Sequence, residues 1–153
     1  MLTQTTAMMY PFATPCERTC SSERELVEFA AELAAHLRPG DVVALSGALG
    51  SGKTAFIRAI VESLHGHDEG SSPTFTFRHR YDGRPPVEHL DFYRIDDPQD
   101  IAELGLEEAF CQDAIVLVEW WENAPRLLPA RRWEIEIQGA GSEPRRVRII
   151  PPQ

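Results

Sequence analysis

The stretch DVVALSGALGSGKT, residues 41–54, decides the fold. Its first six residues are a short apolar run, the pattern of a strand that is buried on both faces. The next eight, residues 47–54, match G-x-x-x-x-G-K-[ST] in full. In that motif the glycines let backbone N–H groups curl toward phosphate oxygens, Lys53 reaches the β- and γ-phosphates, and the Thr54 hydroxyl ligates Mg²⁺. Residues 41–54 therefore predict a strand, a phosphate-binding loop and the start of a helix.

Helical patterns lie on both sides of this stretch. After the loop, Phe56, Ile60 and Leu64 recur at helical spacing, so a helix should aim its positive N-terminal end at the bound phosphates. Before the strand, Ser22 and Glu25 have the spacing of a capping box, and apolar residues recur at helical period to residue 37. We expect Gly40 to close that first helix. The loop thus has the strand before it and the helix after it that the motif requires.

The rest of the chain predicts a second buried strand and two hairpins. Residues 114–119 (AIVLVE) form another fully apolar run. Strand-like runs at 74–81 and 87–92 flank Asp82-Gly83, a hairpin turn signal, and short helical pieces follow from Pro98 to residue 110. Residues 133–138 and 146–150 alternate with period two around a glycine-rich turn. Together these patterns predict an α/β, three-layer fold with a mixed, partly antiparallel central sheet.

Length and composition limit the class of protein. A chain of 153 residues fits one domain, and we expect residues 1–20 to be a flexible extension and residues 21–153 the single folded domain. No apolar run is long enough to span a bilayer, so we expect no membrane contact. Three cysteines are too few to staple a fold and favour a reducing, cytoplasmic location. The net charge of −9 disfavours broad contact with nucleic-acid phosphates.

Two carboxylates are candidates for chemistry. Glu119 ends the second apolar strand, at the edge where open α/β sheets have their ligand crevice. A carboxylate there can hold Mg²⁺ through water, although a simple capped strand end gives the same pattern. Asp91 lies on the predicted strand 87–92, where alternation puts His89, Asp91 and Tyr93 on one face. That face suits an active-site wall and equally suits an ordinary exposed strand.

Four motifs in series resemble one family. The glycine loop, Ser72-Pro73-Thr74-Phe75, His89-x-Asp91-x-Tyr93-Arg94 and Glu119-Trp120 occur in the order and spacing of the TsaE family, the P-loop ATPases of bacterial tRNA threonylcarbamoyladenosine biosynthesis. The resemblance runs from about residue 21 to residue 150. It implies an ATPase that acts with two partner subunits, TsaB and TsaD. Together they transfer a threonylcarbamoyl group to the adenosine adjacent to the anticodon, so tRNA is reached through the complex.

The resemblance also implies roles for particular residues, with ATP and Mg²⁺ as cofactors. The implied ATP-contacting residues are Ser21, Glu23, Leu49, Gly50, Ser51, Gly52, Lys53, Thr54, Trp120 and Arg145. Thr54 and Glu119 would hold Mg²⁺, and Asp91 would support hydrolysis together with Lys53 and Glu119. Arg146 stands one residue from Arg145 and competes with it for the place of the family's nucleotide-contacting arginine.

Two other functions fit a phosphate loop. A small-molecule P-loop kinase usually carries an arginine-bearing lid, and no insertion in this chain exceeds a hairpin. A nucleotide-sensing structural subunit without significant turnover fits the small size of the chain. Asp91 and Glu119 are the residues that distinguish an ATPase from such a subunit.

Overall fold

A single β-sheet carries the candidate site. The computed structural model of the chain describes residues 11–66, 77–97 and 99–153. The strands in these residues are β1 (Cys16–Cys20), β2 (Val42–Ser46), β3 (Arg78–Tyr81), β4 (Val87–Asp91), β5 (Ile115–Glu119), β6 (Trp133–Gln138) and β7 (Arg145–Ile150). They form one seven-stranded sheet in the order β1-β7-β6-β2-β5-β4-β3.

The sheet has a parallel centre and antiparallel edges. Strand β2 pairs in parallel with β5 on one side and β6 on the other, and β4 pairs in parallel with β5. The hairpins β6–β7 and β3–β4 and the pair β1–β7 are antiparallel. The prediction of a mixed, partly antiparallel sheet is therefore confirmed. Its two fully apolar strands, β2 and β5, lie side by side in the centre.

Helices cover both faces of the sheet. The α-helices are α1 (Glu23–Ala34), α2 (Lys53–His65) and α3 (Gln99–Leu104), and the 3₁₀ turns are Leu106–Ala109, Trp121–Asn123 and Pro125–Leu127. Because side chains alternate along a strand, Val43 and Leu45 of β2 pack with α1 and α2 in one apolar cluster. Val42 and Ala44 pack on the other face with α3 and the 3₁₀ turns. These two clusters confirm the three-layer arrangement.

Helix α1 ends earlier than predicted. Its last residue is Ala34, so the prediction that Gly40 closes it is wrong. Gly40 instead has φ +93°, and its N–H donates to the carbonyl of Ala114 at 2.8 Å. The glycine therefore turns the chain into β2 and ties it to the start of β5. Leu37 remains buried in the intervening segment, which is why the apolar period continued beyond the helix.

The predicted flexible extension over residues 1–20 is wrong in its boundary. Cys16–Cys20 forms β1, an edge strand of the sheet that pairs with β7. Phe12 is buried, and its ring lies 5.9 Å from that of Phe29 and 6.4 Å from that of Trp133. The strand was missed because its sequence, CERTC, is short and mostly polar, and because its partner strand is distant in sequence.

The hairpin β3–β4 is present with shorter strands than predicted. Residues 82–86, which include the predicted turn, connect Tyr81 to Val87, and β4 ends at Asp91 rather than at Phe92. The Ser72-Pro73-Thr74-Phe75 motif and Pro98 lie outside the described residues. None of the helices in the described part of the chain is both long and apolar enough to cross a bilayer.

Candidate functional site

The glycine loop joins β2 to α2 and leaves the start of α2 open. The N-cap residue is Gly52, with φ 106°, and no side chain caps the helix. A Cβ on Gly47 would lie 2.6 Å from Ser51 Oγ and 2.7 Å from the carbonyl oxygen of Ile137, so only glycine fits there. The first N–H groups of an α-helix have no partners within the helix. The loop therefore offers N–H donors at the positive end of the α2 dipole.

Lys53, the first residue of α2, turns back into the loop. Its side chain is only 5% exposed, and its Nζ donates to the carbonyl of Gly47. The same Nζ lies 3.9 Å from the ring centroid of Trp120, at cation–π distance. Burial lowers the pKa of Lys53, while the nearby carboxylates of Glu119, Glu122 and Asp91 raise it. The ammonium group is thus enclosed between the loop and the ends of β4 and β5.

Asp91 and Glu119 lie side by side at the carboxyl edge of the sheet. They are Cα partners in the parallel pair β4–β5, and Glu119 also faces Leu45 of β2. Glu119 is 4% exposed and Asp91 is partly buried. Burial raises the pKa of Asp91, although the Tyr93 N–H, which donates to Asp91 Oδ1 at 2.9 Å, lowers it. The fold therefore brings the two predicted acids to one point near Lys53.

His89 is part of this site, although the residue patterns assigned it only a place on the polar face of its strand. Its Nε2 lies 2.8 Å from Glu119 Oε2, and the ring is 1% exposed. The sequence signal was the His89-x-Asp91 spacing, which puts both side chains on one face of β4. The predicted third member of that face, Tyr93, is wrongly placed because β4 ends at Asp91. Tyr93 is half exposed in the following turn.

Trp120 and Trp121 form the wall next to Glu119. Trp120 is the one non-glycine residue in the described chain with positive φ, at 56°. Such strained backbone concentrates at functional sites. The Trp120 ring packs on Tyr93, with 4.9 Å between the two ring centroids. Trp121 Nε1 donates to Ser46 Oγ at 3.0 Å, which fastens this segment to the residue before the glycine loop.

A cavity lies on the other side of the loop from the two acids, and several residues that are predicted to contact ATP line it. It measures about 370 Å³ and is lined by Ser21, Glu23, Leu26, Gly52 and Arg145, among others. These residues come from the start of α1, the start of α2 and the final hairpin, so only the folded chain brings them together. The loop therefore lies between this cavity and the acids at the ends of β4 and β5.

Arg145 and Arg146 have different surroundings. Arg145 Nε donates to the carbonyl of Ser51 at 2.8 Å, and its Nη2 donates to the carbonyl of Gly50 at 3.3 Å. Arg146 points the opposite way, and its Nε forms an exposed ion pair with Glu17 at 2.8 Å. Of the two candidates, Arg145 is thus the one that lies against the glycine loop.

Comparisons with known proteins agree with this arrangement. Residues 20–147 match the model of the family described as threonylcarbamoyl adenosine biosynthesis protein TsaE. The chain belongs to the TsaE family. The tRNA threonylcarbamoyladenosine biosynthesis protein TsaE of Bacillus subtilis is 41% identical over 115 residues, 74% of this chain and 72% of that protein. The protein of the same name from Rickettsia conorii is 37% identical over 134 residues, 86% of this chain and 76% of its own.

A solved structure has the same fold as this chain. The crystal structure of Bacillus subtilis YdiB superimposes with a TM-score of 0.76 at 33% sequence identity. The match covers 92% of this chain and 87% of that chain. The P-loop NTPase fold predicted for this TsaE-family chain is therefore confirmed.

The TsaE-family residues around the loop fit a nucleoside triphosphate. Ser51 Oγ is buried and has no hydrogen-bond partner among residues 11–66, 77–97 and 99–153, and an added Cβ on Gly50 would meet none of their atoms within 4 Å. Leu49 is 65% exposed at the tip of the loop, and Thr54 is exposed in the first turn of α2. An unpartnered hydroxyl and an open loop next to a buried lysine are what a phosphate-binding loop needs.

Two side chains near the loop, those of Thr54 and Glu119, fit a magnesium ion. Within residues 11–66, 77–97 and 99–153, no three His, Cys, Asp or Glu side chains are placed to form a metal cage. Magnesium bound with nucleotide phosphates does not need one, because it keeps several waters and takes only one or two protein ligands. The Thr54 hydroxyl and the Glu119 carboxylate would supply oxygen ligands of the kind that Mg²⁺ prefers.

Proposed function

We propose that this chain is the ATP-binding and ATP-hydrolysing subunit of the tRNA threonylcarbamoyladenosine machinery. One observation carries the proposal. Buried Lys53 lies at the open start of α2, within the electrostatic reach of Asp91 and Glu119, which are Cα partners at the carboxyl ends of β4 and β5. A loop that only binds phosphate needs Lys53, whereas hydrolysis also needs carboxylates to position water and metal.

In this proposal the loop holds the phosphates. The N–H groups of residues 49–54 and the Lys53 ammonium donate to phosphate oxygens, and the α2 dipole adds to the attraction. Lys53 must leave the carbonyl of Gly47 and the Trp120 ring to reach them. Trp120 then loses its cation–π partner, so its indole reports the arrival of nucleotide. The nucleoside end of ATP lies toward the cavity lined by Ser21, Glu23 and Arg145.

Asp91 is assigned the hydrolytic role. Its ionised carboxylate accepts a hydrogen bond from water and orients that water in line with the γ-phosphorus. The new P–O bond forms as the bond to the β–γ bridging oxygen breaks, which gives ADP and phosphate. Burial raises the pKa of Asp91 and so makes its carboxylate a better proton acceptor than an exposed one. Bound Mg²⁺, held by Thr54 and Glu119, would neutralise charge on the phosphates.

The proposed partners are TsaB and TsaD, with tRNA reached through their complex. A chain with a net charge of −9 is poorly suited to bind the tRNA backbone alone. Transfer of the threonylcarbamoyl group would belong to TsaD, and this chain would supply an ATP-driven step for repeated turnover. That role belongs in the cytoplasm, where the tRNA is.

The test is phosphate release and complex formation measured together. The purified chain is incubated with Mg·ATP, with and without the TsaB–TsaD pair, and co-purification is compared in ATP and in ADP. We expect partner-stimulated phosphate release and nucleotide-dependent co-purification, both lost in Lys53→Ala. Nucleotide-dependent co-purification without release would instead support a nucleotide-sensing subunit. Phosphate transfer to a small molecule, with no response to the partners, would support a kinase.

A further inference from the structure

His89 and Glu119 form a closed pair inside the site. Neither side chain is more than 5% exposed, and the contact from His89 Nε2 to Glu119 Oε2 is 2.8 Å. The two residues are diagonal neighbours on β4 and β5, because His89 faces Leu117 and Asp91 faces Glu119 across the parallel pair. Both side chains lie on backbone that the central sheet holds rigidly. The geometry of the pair is therefore set by the fold.

The other ring nitrogen of His89 has no partner among the described residues. Nδ1 is buried and makes no hydrogen bond within the described part of the chain. An ionised carboxylate only accepts, so Nε2 carries a proton in this contact, and in the neutral imidazole Nδ1 keeps its lone pair. Burying an unpaired polar atom costs stability. An apolar side chain would avoid this cost, so packing alone does not explain a histidine at this position.

Glu119 has another cation within reach. Burial lowers the pKa of Lys53, and the charge of the Glu119 carboxylate partly opposes that lowering. Yet no ion pair within 4.0 Å joins Lys53 to Glu119 or Asp91, all of which lie among the described residues, while His89 and Glu119 are paired. The hydrogen bond from His89 thus uses Oε2 of Glu119 and leaves Oε1 as the oxygen that His89 does not engage.

We propose that His89 is a positioning residue that holds Glu119 by Oε2 and so presents Oε1 to the magnesium–nucleotide complex. The inference rests on the proposed function, because it concerns the orientation of Glu119, the carboxylate that is proposed to hold Mg²⁺. His89 contacts neither nucleotide nor metal in this arrangement. Outer-shell partners of metal ligands typically change metal affinity by about 10- to 100-fold when they are removed.

The first test examines the ring itself in the protein without nucleotide. Long-range ¹H–¹⁵N NMR of the imidazole distinguishes a protonated Nε2 from a protonated Nδ1. We expect the Nε2–H tautomer in the wild type and a changed Nε2 resonance in Glu119→Gln. An Nδ1–H tautomer would overturn the proposal, and so would an Nε2 resonance that is the same in the wild type and in Glu119→Gln. This test needs no ATP binding, so it is independent of the proposed function.

The second test separates metal from nucleotide. Binding of a hydrolysis-resistant ATP analogue is measured by calorimetry in EDTA and across a Mg²⁺ titration, for wild type, His89→Leu and His89→Gln. We expect His89→Leu to keep the affinity measured in EDTA and to need about tenfold more Mg²⁺ for half-saturation. His89→Gln retains an amide N–H near the position of Nε2 and should restore most of the Mg²⁺ response.

A packing control and three outcomes complete the design. Val87→Ala removes buried volume on the same face of β4, two residues from His89, and should leave the Mg²⁺ response unchanged. Wild-type Mg²⁺ dependence in folded His89→Leu would overturn the proposal, and so would equal loss in the Leu and Gln variants. If the wild type itself binds no nucleotide, the proposed function falls and the metal role of His89 falls with it.

Discussion

The two helices that cover one face of the sheet, α1 and α2, begin in opposite ways. Helix α1 is capped by its own residues: Ser22 Oγ accepts from the Glu25 N–H at 3.1 Å, and the Glu25 carboxylate accepts from the N–H of Ser21. Glu23 and Glu25 also put negative charge in its first turn. Helix α2 has Gly52 at its N-cap, no side-chain cap and no acid in its first turn.

The difference supports the proposal that the start of α2 binds an external anion. Its first residue is Lys53, and a cation at a helix N-terminus is unfavourable by about 0.3–1 kcal/mol. Nothing in the first turn of α2 offsets the dipole, whereas the acids of α1 do so for that helix. We conclude that α1 is optimised for stability, and that α2 gives up stability which a bound triphosphate would restore. The following predictions test this contrast.

The largest expected effect, beside α2, is a loss of ATP hydrolysis without a matching loss of ATP binding. Asp91→Asn keeps the shape of the side chain and removes the charge that orients water. We expect ATP hydrolysis to fall by about 10²-fold or more, the usual scale for a positioned acid–base group. ATP affinity should change little, because the loop and Lys53 hold the phosphates. Phosphate release and calorimetry measure the two quantities, with Glu119→Gln as the comparison. Normal hydrolysis by Asp91→Asn, with loss in Glu119→Gln, would move the catalytic role to Glu119.

The second effect concerns the cation at the start of α2. Lys53→Ala removes a charge-assisted phosphate contact worth about 1.5–3 kcal/mol, so ATP affinity should fall about tenfold to a hundredfold. Without nucleotide, the free energy of unfolding should not fall by a comparable amount, because a buried cation at a helix N-terminus does not stabilise the helix. Calorimetry and urea unfolding check the two parts. Unchanged ATP affinity would show that this loop does not grip phosphates.

The third effect compares the two glycines that flank α2. Gly52 and Gly66 have φ values of 106° and 80°, where a side chain costs about 1–2 kcal/mol. Gly66→Ala should therefore lower the free energy of unfolding by about this amount, and Gly52→Ala by at least as much, because its Cβ would also lie 2.8 Å from Leu26 Cδ2. Only Gly52→Ala should also weaken ATP binding, because Gly52 lies in the loop and Gly66 at the far end of the helix. Equal ATP affinity in both variants would contradict an anion site at the start of α2.

The fourth effect tests the capped helix. Ser22→Ala removes the side-chain acceptor for the Glu25 N–H and should lower the free energy of unfolding by about 1 kcal/mol. Ser22→Asp keeps an acceptor and should stay near wild type. Urea unfolding without nucleotide makes the measurement. If Ser22→Ala is as stable as wild type, the cap does not stabilise α1 as the contrast requires.

The smallest effect is a pH dependence. Burial raises the pKa of Asp91 above its ordinary value of 3.8. Between 3.8 and the raised pKa, the folded protein keeps a proton that the unfolded chain has released. The free energy of unfolding of the wild type therefore falls as the pH rises through that window. Asp91→Asn does not titrate there, so its stability relative to wild type should increase from about pH 4 upward and then level off. Urea unfolding of both proteins at each pH checks this, and a constant difference would contradict the raised pKa.

Features formed within a few neighbouring residues were predictable from the sequence. The loop at residues 47–54 and the cap of α1 depend on local backbone geometry and local N–H donors, which the residue types fix. The buried strands β2 and β5 were visible because a strand covered on both faces must be apolar throughout. The β6–β7 hairpin was visible because its strands alternate around a glycine turn.

Three predictions failed where the deciding contact is distant or the pattern is ambiguous. Residues 16–20 read as an extension because their strand is polar and pairs with β7 at the far end of the chain. The sequence predicts a helix end at Gly40 because burial of Leu37 continues the helical period after the helix has stopped. Tyr93 was placed on the strand with Asp91 because alternation alone does not reveal where a strand ends.

The sequence by itself determined that this chain has a P-loop fold and belongs to the TsaE family, because those signals lie in contiguous motifs. Only the tertiary structure decided which side chains meet. It paired Asp91 with Glu119, put Nε2 of His89 on Glu119, and brought Arg145 to the loop from 94 residues away. Spacing along the chain carries no information about such pairs, since the distances between their side chains follow from strand order and register.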